Sequence, residues 1–277
     1  ICFPPMKKSF LYFCLLLVIS FVFSSCHSDR SRILVSAYSM VDSLPDSTLA
    51  LLRKVDCDNL SAKVMAEYSL LFTMAQDKSG LDVDNDSLIR IAYDWFQQHQ
   101  DDSLYAKCLY YMGKYYMLND STEQAISLLT QSSEKSSKIG DLKTESMALE
   151  KLSKVYQVVE PEKSLVFSKK ALETYARYQY ATLKNRIYLN LNYSEALLAC
   201  DITRKSVDVI LSNVPKALVL KDSAVLADVY QDLANSYLYL GYKDSCLFYA
   251  KKTYDLQPIK NMSCRLMLAD AYREVDS

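Results

Sequence analysis

The sequence predicts an all-α protein in which helical hairpins stack into an α-solenoid. Small residues recur at Gly113, Ser153, Ser194 and Ala234, at spacings of 40, 41 and 40 residues, within stretches of similar pattern. The 277-residue chain has only four glycines, too few for the tight turns of β-sandwiches and nucleotide-binding folds. Because half of its residues are apolar, the chain can bury a sizeable core.

The first element, residues 1–25, is predicted to be upstream residues followed by a secretory signal. Met6 fits as the true start, because two lysines and then the apolar run 10–23 follow it. This run is shorter than the ~20 residues of a transmembrane helix. It ends in "FSSC", which resembles the lipobox of bacterial lipoproteins, although Phe23 stands where leucine is usual. The resemblance implies that Cys26 is lipidated, and the alternative is an ordinary signal peptide with an incidental cysteine.

Composition narrows the function of the remaining part, residues 26–277. Removal of the signal lowers the formal net charge from -1 to -3. A chain without basic excess is not expected to bind nucleic acid. Five cysteines then remain that could pair with one another, an odd number at wide spacing, so we expect them to pack as small hydrophobic residues. His27 and His99 do not pair with a cysteine at ligand spacing, and no metal site is expected.

The elements that follow the signal are predicted as six hairpins over about residues 30–256. The first is short, and the second is degenerate and places Trp95 in the core. Asp or Ser in "PDST", "NDSL", "DDSL", "NDST", "KDSA" and "KDSC" is predicted to cap helices. Pro161 suits a first helical turn, and Pro215 and Pro258 suit breaks between helices. A last helix, residues 259–275, caps the solenoid or is half of a repeat that the end of this sequence cuts off.

The residues around the small positions resemble the tetratricopeptide repeat (TPR). Met112 and Gly113 with Tyr116 and Ala125 follow its pattern. The last unit matches most closely, at the positions Leu233, Ala234, Tyr237, Gly241, Cys246 and Ala250. The resemblance implies a right-handed superhelix in which tyrosines fill the gaps between hairpins. Two departures are Leu197 in place of an aromatic residue and a period of about 40 residues instead of 34.

The lipobox-like cysteine, the "PDSTLALLRKV" stretch and the repeats together resemble a group of Bacteroidetes lipoproteins and membrane-bound TPR regulators. The resemblance implies a location in the cell envelope. The chain would be lipid-anchored in the inner or outer membrane, with a periplasmic solenoid.

Catalytic motifs are absent from the sequence, so we expect neither an enzyme nor a bound cofactor. Asp82, Asp84 and Asp86 alternate like the first ligands of a calcium-binding loop. That loop requires glycine and glutamate where Ser87 and Tyr93 stand, so a polar loop before a helix is the better interpretation.

The remaining candidate site is the concave groove that the first helices of TPR hairpins line. Its predicted partner-binding residues are Lys107, Tyr110, Lys114, Glu150, Lys154, Asp228, Gln231 and Asn235. Met147, Tyr188, Leu191 and Glu195 occupy equivalent positions. Their mixture of charged, polar and aromatic groups suits a peptide or protein segment. Only Asn235 matches the clamp with which some TPR proteins hold a C-terminal carboxylate, so that ligand is not expected.

Three functions are compatible with these features. The first is a non-enzymatic, membrane-anchored scaffold that binds a protein or peptide. The alternative is the extracytoplasmic sensor half of a membrane-bound transcriptional or signalling regulator. The third is an accessory lipoprotein of glycan uptake, which ranks lower because Trp95 is the only tryptophan.

Overall fold

The computed structural model describes residues 32–81, 85–99 and 101–256, together with Tyr272. These residues form helices and connecting turns and contain no strand. The chain divides into two compact units, one ending at Asp101 and the other beginning at Asp102. The signal, Cys26, Asp82, Asp84, Pro258 and the helix predicted over 259–275 lie outside the described residues, apart from Tyr272 within that helix.

The described residues of the first unit form four helical segments. They are α1 (32–40), α2 (Pro45–Leu52), α3 (Ala62–Lys78) and α4 (Ser87–His99). Helix α3 packs against both α2 and α4. Ser61 caps α3 by accepting a hydrogen bond from the Val64 amide at 3.4 Å. The cap predicted in "PDST" is not formed, because Pro45 occupies the first turn of α2 and no side chain caps that helix.

Trp95 is not a core residue, which corrects the sequence prediction. Its indole is half-buried and stacks on the imidazole of exposed His99, with ring centroids 3.7 Å apart. Phe96, the next residue, is 1% exposed and packs in the core. Ile89, Ala92 and Phe96 recur every three to four residues and form the buried face of α4. One residue corresponds to about 100° of helix rotation, and this turns Trp95 away from that face.

The second unit consists of paired helices. Its first helices are α5 (Asp102–Leu118), α7 (Leu142–Val159), α9 (Leu183–Ala199) and α12 (Ser223–Tyr239). Its second helices are α6 (Thr122–Ile139), α8 (Pro161–Ala176), the pair α10 (Thr203–Leu211) and α11 (Val214–Leu220), and α13 (Lys243–Leu256). Each first helix packs against the second helix of its own hairpin and against the next first helix. The predicted all-α hairpin architecture is therefore confirmed.

The four predicted small positions are buried in this unit. A Cβ atom on Gly113 would lie 2.8 Å from Leu129 Cγ, so only glycine lets α5 and α6 approach this closely. The Ser153 hydroxyl donates to the Ser164 carbonyl at 3.0 Å and thus satisfies its polar group between α7 and α8. Ser194 and Ala234 are also buried. The spacing of about 40 residues therefore marks buried positions of the first helices. At Gly113 and Ser153 the first helix contacts the second helix of its hairpin closely.

The third hairpin departs from the others because its second helix is broken. Pro215 lies in the first turn of α11, which confirms the predicted break. Asn213, fully buried at the break, donates from its amide nitrogen to the Val209 carbonyl at 2.8 Å. Its amide oxygen accepts from Asn190 of α9 at 3.2 Å. Asn213 thus bonds to a carbonyl of α10 at the break and connects the break to α9.

Helix caps agree with the sequence prediction at some positions only. Asp222 of "KDSA" caps α12, with its carboxylate accepting from the Ala224 amide at 3.1 Å. Pro161 occupies the first turn of α8, as expected. Ser121 of "NDST" makes no capping bond to α6. Asp141, which caps α7, was not among the predicted caps.

Two of the four described cysteines pack in the core, as the sequence predicts. Cys108 and Cys246 are at most 1% exposed, and Cys57 and Cys200 are half-buried. All four are free thiols. In the part of the chain that the structure describes, no helix is sufficiently long and apolar to span a bilayer.

Candidate functional site

The first helices of the second unit present a continuous series of polar side chains. Helices α5, α7, α9 and α12 contact one another in that order. We call this surface the polar face. It consists of Lys107, Lys114, Glu150, Lys151, Lys154, Tyr188, Glu195, Asp228, Gln231, Asp232 and Asn235, of which Lys154 is exposed and the others are half-buried.

On α5, Lys107 is engaged with the protein itself. Its ammonium lies 3.0 Å from Asp141 Oδ2 and 3.2 Å from Ser103 Oγ. Asp141 also accepts a hydrogen bond from the Thr144 amide at 3.1 Å and so caps α7. Burial opposes the charged form, yet Lys107 and Thr144 hold the pKa of Asp141 below its ordinary value. Lys107 thus fastens α5 to the start of α7 at one end of the polar face.

Tyr110 does not face solvent, contrary to the predicted register. It is 3% exposed, and its ring meets that of Tyr111 edge to face at 4.8 Å. Leu191, at the equivalent position of α9, is also buried. Each first helix is flanked by its hairpin partner and by the next first helix, so its open stripe is narrower than the predicted set. Glu150 and Gln231, at the same register, are half-buried.

On α7, a carboxylate is surrounded by lysines. Glu150 Oε1 lies 3.0 Å from the Lys151 ammonium and 3.8 Å from that of Lys154. Although burial disfavours the charged form, Lys151, Lys154 and, more weakly, Lys114 of α5 hold the pKa of Glu150 below its ordinary value. This part of the polar face therefore carries a net positive charge.

The carboxylates of α12 lie at the other end of the polar face. The Tyr188 hydroxyl of α9 donates to Asp228 Oδ2 at 3.0 Å, and Lys184 of α9 pairs with Asp222 at 2.7 Å. Burial, followed by the nearby charge of Asp228, raises the pKa of the Tyr188 hydroxyl. Burial also raises the pKa of Asp228, despite the hydrogen bond from Tyr188.

A small cavity opens beside these groups, between α9, α10 and α12. Its volume is about 60 Å³, and Glu195, Asp232 and Asn235 contribute the polar side chains with the greatest reach. Two of its serines, Ser206 and Ser236, lie with their hydroxyl oxygens 3.3 Å apart. The ionisable groups of the lining are the carboxyl groups of Glu195 and Asp232.

Asp232 is the most unusual group of this cavity. Its Oδ2 atom is fully buried and has no hydrogen-bond partner among the described residues. Burial raises its pKa well above the ordinary range, and the neighbouring carboxylates of Glu195 and Asp228 raise it further. Lys154 acts in the opposite direction. Burial likewise raises the pKa of Glu195.

The predicted groove residues do not include Asp232, because they occupy only three positions of each first helix. Asp232 lies two residues before the small residue Ala234. Lys151 and Asn192 hold the same position in α7 and α9, so a polar residue recurs there. Asp232 also follows Asp228 by four residues, and a pair of acids at this spacing shares one helix face. These two signals were available in the sequence.

The polar face changes sign along its length. Lysines predominate on α5 and α7, and carboxylates predominate on α9 and α12. Such a surface can orient a partner that carries opposite charges at its two ends. Within the described ranges, no group of three or more histidine, cysteine, aspartate or glutamate side chains could hold a metal ion.

Comparisons with known proteins give matches in structure only. No family model matches the chain, and no curated protein matches it. A Rap protein complexed with Competence and Sporulation Factor has a TM-score of 0.71 and 15% identity, covering 90% of this chain and 72% of that one. NprR in complex with its cognate peptide NprX has a TM-score of 0.62 and 14% identity, covering 89% and 74%.

A third similar structure is a signal transduction ATPase from Pyrococcus horikoshii with a tetratricopeptide repeat sensor. Its TM-score is 0.63 and its identity 16%, with coverage of 93% of this chain and 37% of that one. At such low identities the likeness concerns the fold. The chain has a TPR-like helical-repeat fold.

Proposed function

We propose that this protein is a non-enzymatic binding protein that holds a peptide or a protein segment along the polar face. The observation that carries the proposal is the row of partly buried charged side chains across four adjacent first helices. Charged and polar side chains on adjacent helices can hold an extended segment through hydrogen bonds and ion pairs. The two structures described above that contain a bound factor or peptide have the same type of fold, which supports this function.

The charge pattern gives the bound segment a direction. Acidic groups of the partner would lie near Lys114, Lys151 and Lys154, and basic groups near Asp228 and Asp232. Complementary charges of this kind favour one orientation over its reverse. A peptide in the opposite direction would place like charges together.

Selection from a random short-peptide library against the purified full chain tests the proposal. Lys154→Glu reverses the most exposed charge of the polar face, and Lys170→Glu makes the same change at an exposed position of α8. We expect selected peptides to bind the parent and Lys170→Glu equally and to bind Lys154→Glu about tenfold more weakly. Failure to select any peptide, or equal binding by all three proteins, would overturn the proposal.

We also propose that a lipid on Cys26 holds the protein in the cell envelope, with its helices in the periplasm. The support is the basic start, apolar run and small residues that precede Cys26. Cells that express the parent or Cys26→Ala are labelled with a radioactive fatty acid. The label should appear in the parent only, and equal labelling of both would contradict the anchor.

A second candidate function is the sensor part of a longer membrane-bound regulator. It is favoured by the similarity to a signal transduction ATPase that has a tetratricopeptide repeat sensor, of which this chain covers 37%. Transcript profiling after addition of a selected peptide separates the two candidates. A transcriptional response that is lost in Lys154→Glu favours the sensor, whereas binding without a response favours the scaffold.

A further inference from the structure

The cavity between α9, α10 and α12 contains a buried acceptor that the protein does not use. Asp232 Oδ2 is fully buried and has no hydrogen-bond partner in the described part of the chain. A buried polar atom without a partner is unfavourable, and native proteins rarely retain one without a reason. The cavity next to it, about 60 Å³, exceeds the roughly 10–15 Å³ that one water needs.

The surroundings of Asp232 favour a cation. Glu195 lines the same cavity, and the Asp228 carboxylate is close enough to act on Asp232. Lys154 is the lysine whose charge reaches both Asp232 and Glu195. Its ammonium lies 3.8 Å from Glu150, however, and its side chain is 39% exposed, so it does not neutralise the cavity. Lys151 also acts on Glu195, and Lys184 on Asp228, so Asp232 is the carboxylate of the three with the weakest cationic support.

The chemistry of the lining favours an organic cation over a metal ion. A metal would need several ligands converging on one point, and the described residues hold no such group. An ammonium or guanidinium group instead needs acceptors spread over a small volume. The carboxylates of Asp232 and Glu195 and the side-chain oxygen of Asn235 provide them.

We propose that this cavity is a subsite for one cationic group, an ammonium or a guanidinium, of a peptide bound along the polar face. The inference rests on the proposed function. It specifies which end of the polar face receives the cationic group of the partner. The cation could be a lysine side chain, an arginine side chain or the N-terminal ammonium of the peptide.

The test uses the peptides selected by the full chain and three proteins. Asp232→Asn removes the charge with little change of shape, and Asp208→Asn removes the same charge at an exposed position of α10. In each peptide, lysine is replaced by norleucine, arginine by citrulline, or the N-terminus is acetylated. One of these changes should weaken binding to the parent and to Asp208→Asn by about tenfold or more. The same change should alter binding to Asp232→Asn by less than about twofold.

The outcomes of this experiment identify the source of the cation. They also distinguish failure of this inference from failure of the proposed function. Whichever of the three changes weakens binding identifies the cationic group. Calcium chloride serves as a metal probe, and stabilisation of the parent by calcium that Asp232→Asn abolishes would overturn the inference in favour of a metal. Equal loss of binding in the parent and Asp232→Asn would also overturn it. In both cases selected peptides still bind, so the proposed function stands, whereas a library without binders contradicts the proposed function itself.

Discussion

At the scale of single residues, we expect the carboxyl group of Asp232 to lower the stability of the folded protein when no ligand is bound. Groups that bind ligands are frequently unfavourable for stability until the ligand arrives. Asp232 fits this description, since its Oδ2 lacks a partner and Glu195 and Asp228 repel its charge.

Gly113 is a residue whose role is packing alone. There a residue without a side chain serves packing, because any Cβ would collide with Leu129.

Replacement of Asp232 by asparagine should raise the stability of the protein at pH 7. Because the pKa of Asp232 is raised in the folded chain, folding disfavours its ionised form. The parent therefore loses stability as pH rises from the ordinary aspartate pKa, about 3.9, through the raised folded pKa. Below that window both states bind the proton, and the advantage of Asp232→Asn disappears.

Thermal unfolding of the parent, Asp232→Asn and Asp208→Asn across pH measures this effect. Each 1 kcal/mol corresponds to about 2–4 °C in Tm for a chain of this size. Asp208→Asn should follow the parent throughout. An Asp232→Asn protein that melts below the parent at pH 7 would show that the carboxylate stabilises the fold.

At the scale of helices, the beginnings of α7 and α12 are built alike. An aspartate caps each helix and also pairs with a lysine of the preceding first helix. Asp141 pairs with Lys107 at 3.0 Å, and Asp222 pairs with Lys184 at 2.7 Å. One side chain thus caps a helix and links two neighbouring hairpins through an ion pair. Its loss should affect both contacts at once.

Asp141→Ala should destabilise the protein more than Asp141→Asn. Alanine removes both the cap and the ion pair, and loss of a cap alone costs about 0.5–2 kcal/mol. Asparagine keeps a capping oxygen and loses the ion pair only. Because the folded pKa of Asp141 is lowered, its contribution is present above the ordinary aspartate pKa and is lost as pH falls through the folded value.

Urea unfolding at neutral and acidic pH distinguishes these variants. The differences from the parent should shrink in acid, and Asp208→Ala, at an exposed position, should change little at either pH. If Asp141→Ala and Asp141→Asn are equally stable at neutral pH, the cap does not contribute. If the differences persist unchanged in acid, the ion pair does not.

At the scale of the whole molecule, contacts within the second unit connect mainly neighbouring helices. Helix α5 packs on α6 and α7, whereas α12 packs on α9 to α11 and on α13. In repeat proteins of this kind, stability is roughly a sum of local terms. Damage at one hairpin should therefore decrease with distance along the series.

Gly113→Leu should destabilise the first hairpin of this unit by roughly 1–3 kcal/mol through overpacking against Leu129. Hydrogen exchange should then show loss of protection in α5 to α7 and near-parent protection in α12 and α13. Val158→Leu, at a site that is 90% exposed, is the matched control and should leave exchange unchanged. Uniform loss of protection over the whole unit would mean that its hairpins unfold as one.

The sequence by itself determined the helical class, the repeat of about 40 residues and the small residues Gly113, Ser153, Ser194 and Ala234. Periodicity and residue size are properties of the chain itself, and close helix packing requires them wherever the chain folds. Pro161 and Pro215 were likewise predictable, because a fixed φ and a missing amide hydrogen act locally.

Only the tertiary structure decided which side chains remain open to a partner. Tyr110 is buried because the neighbouring helices, which no local pattern specifies, set the width of each open stripe. The tertiary structure alone shows that Asp232 Oδ2 lacks a partner and lies in a cavity between α9, α10 and α12 beside Glu195. Burial and the field of charges from other helices depend on packing between distant segments, and sequence spacing does not contain that information.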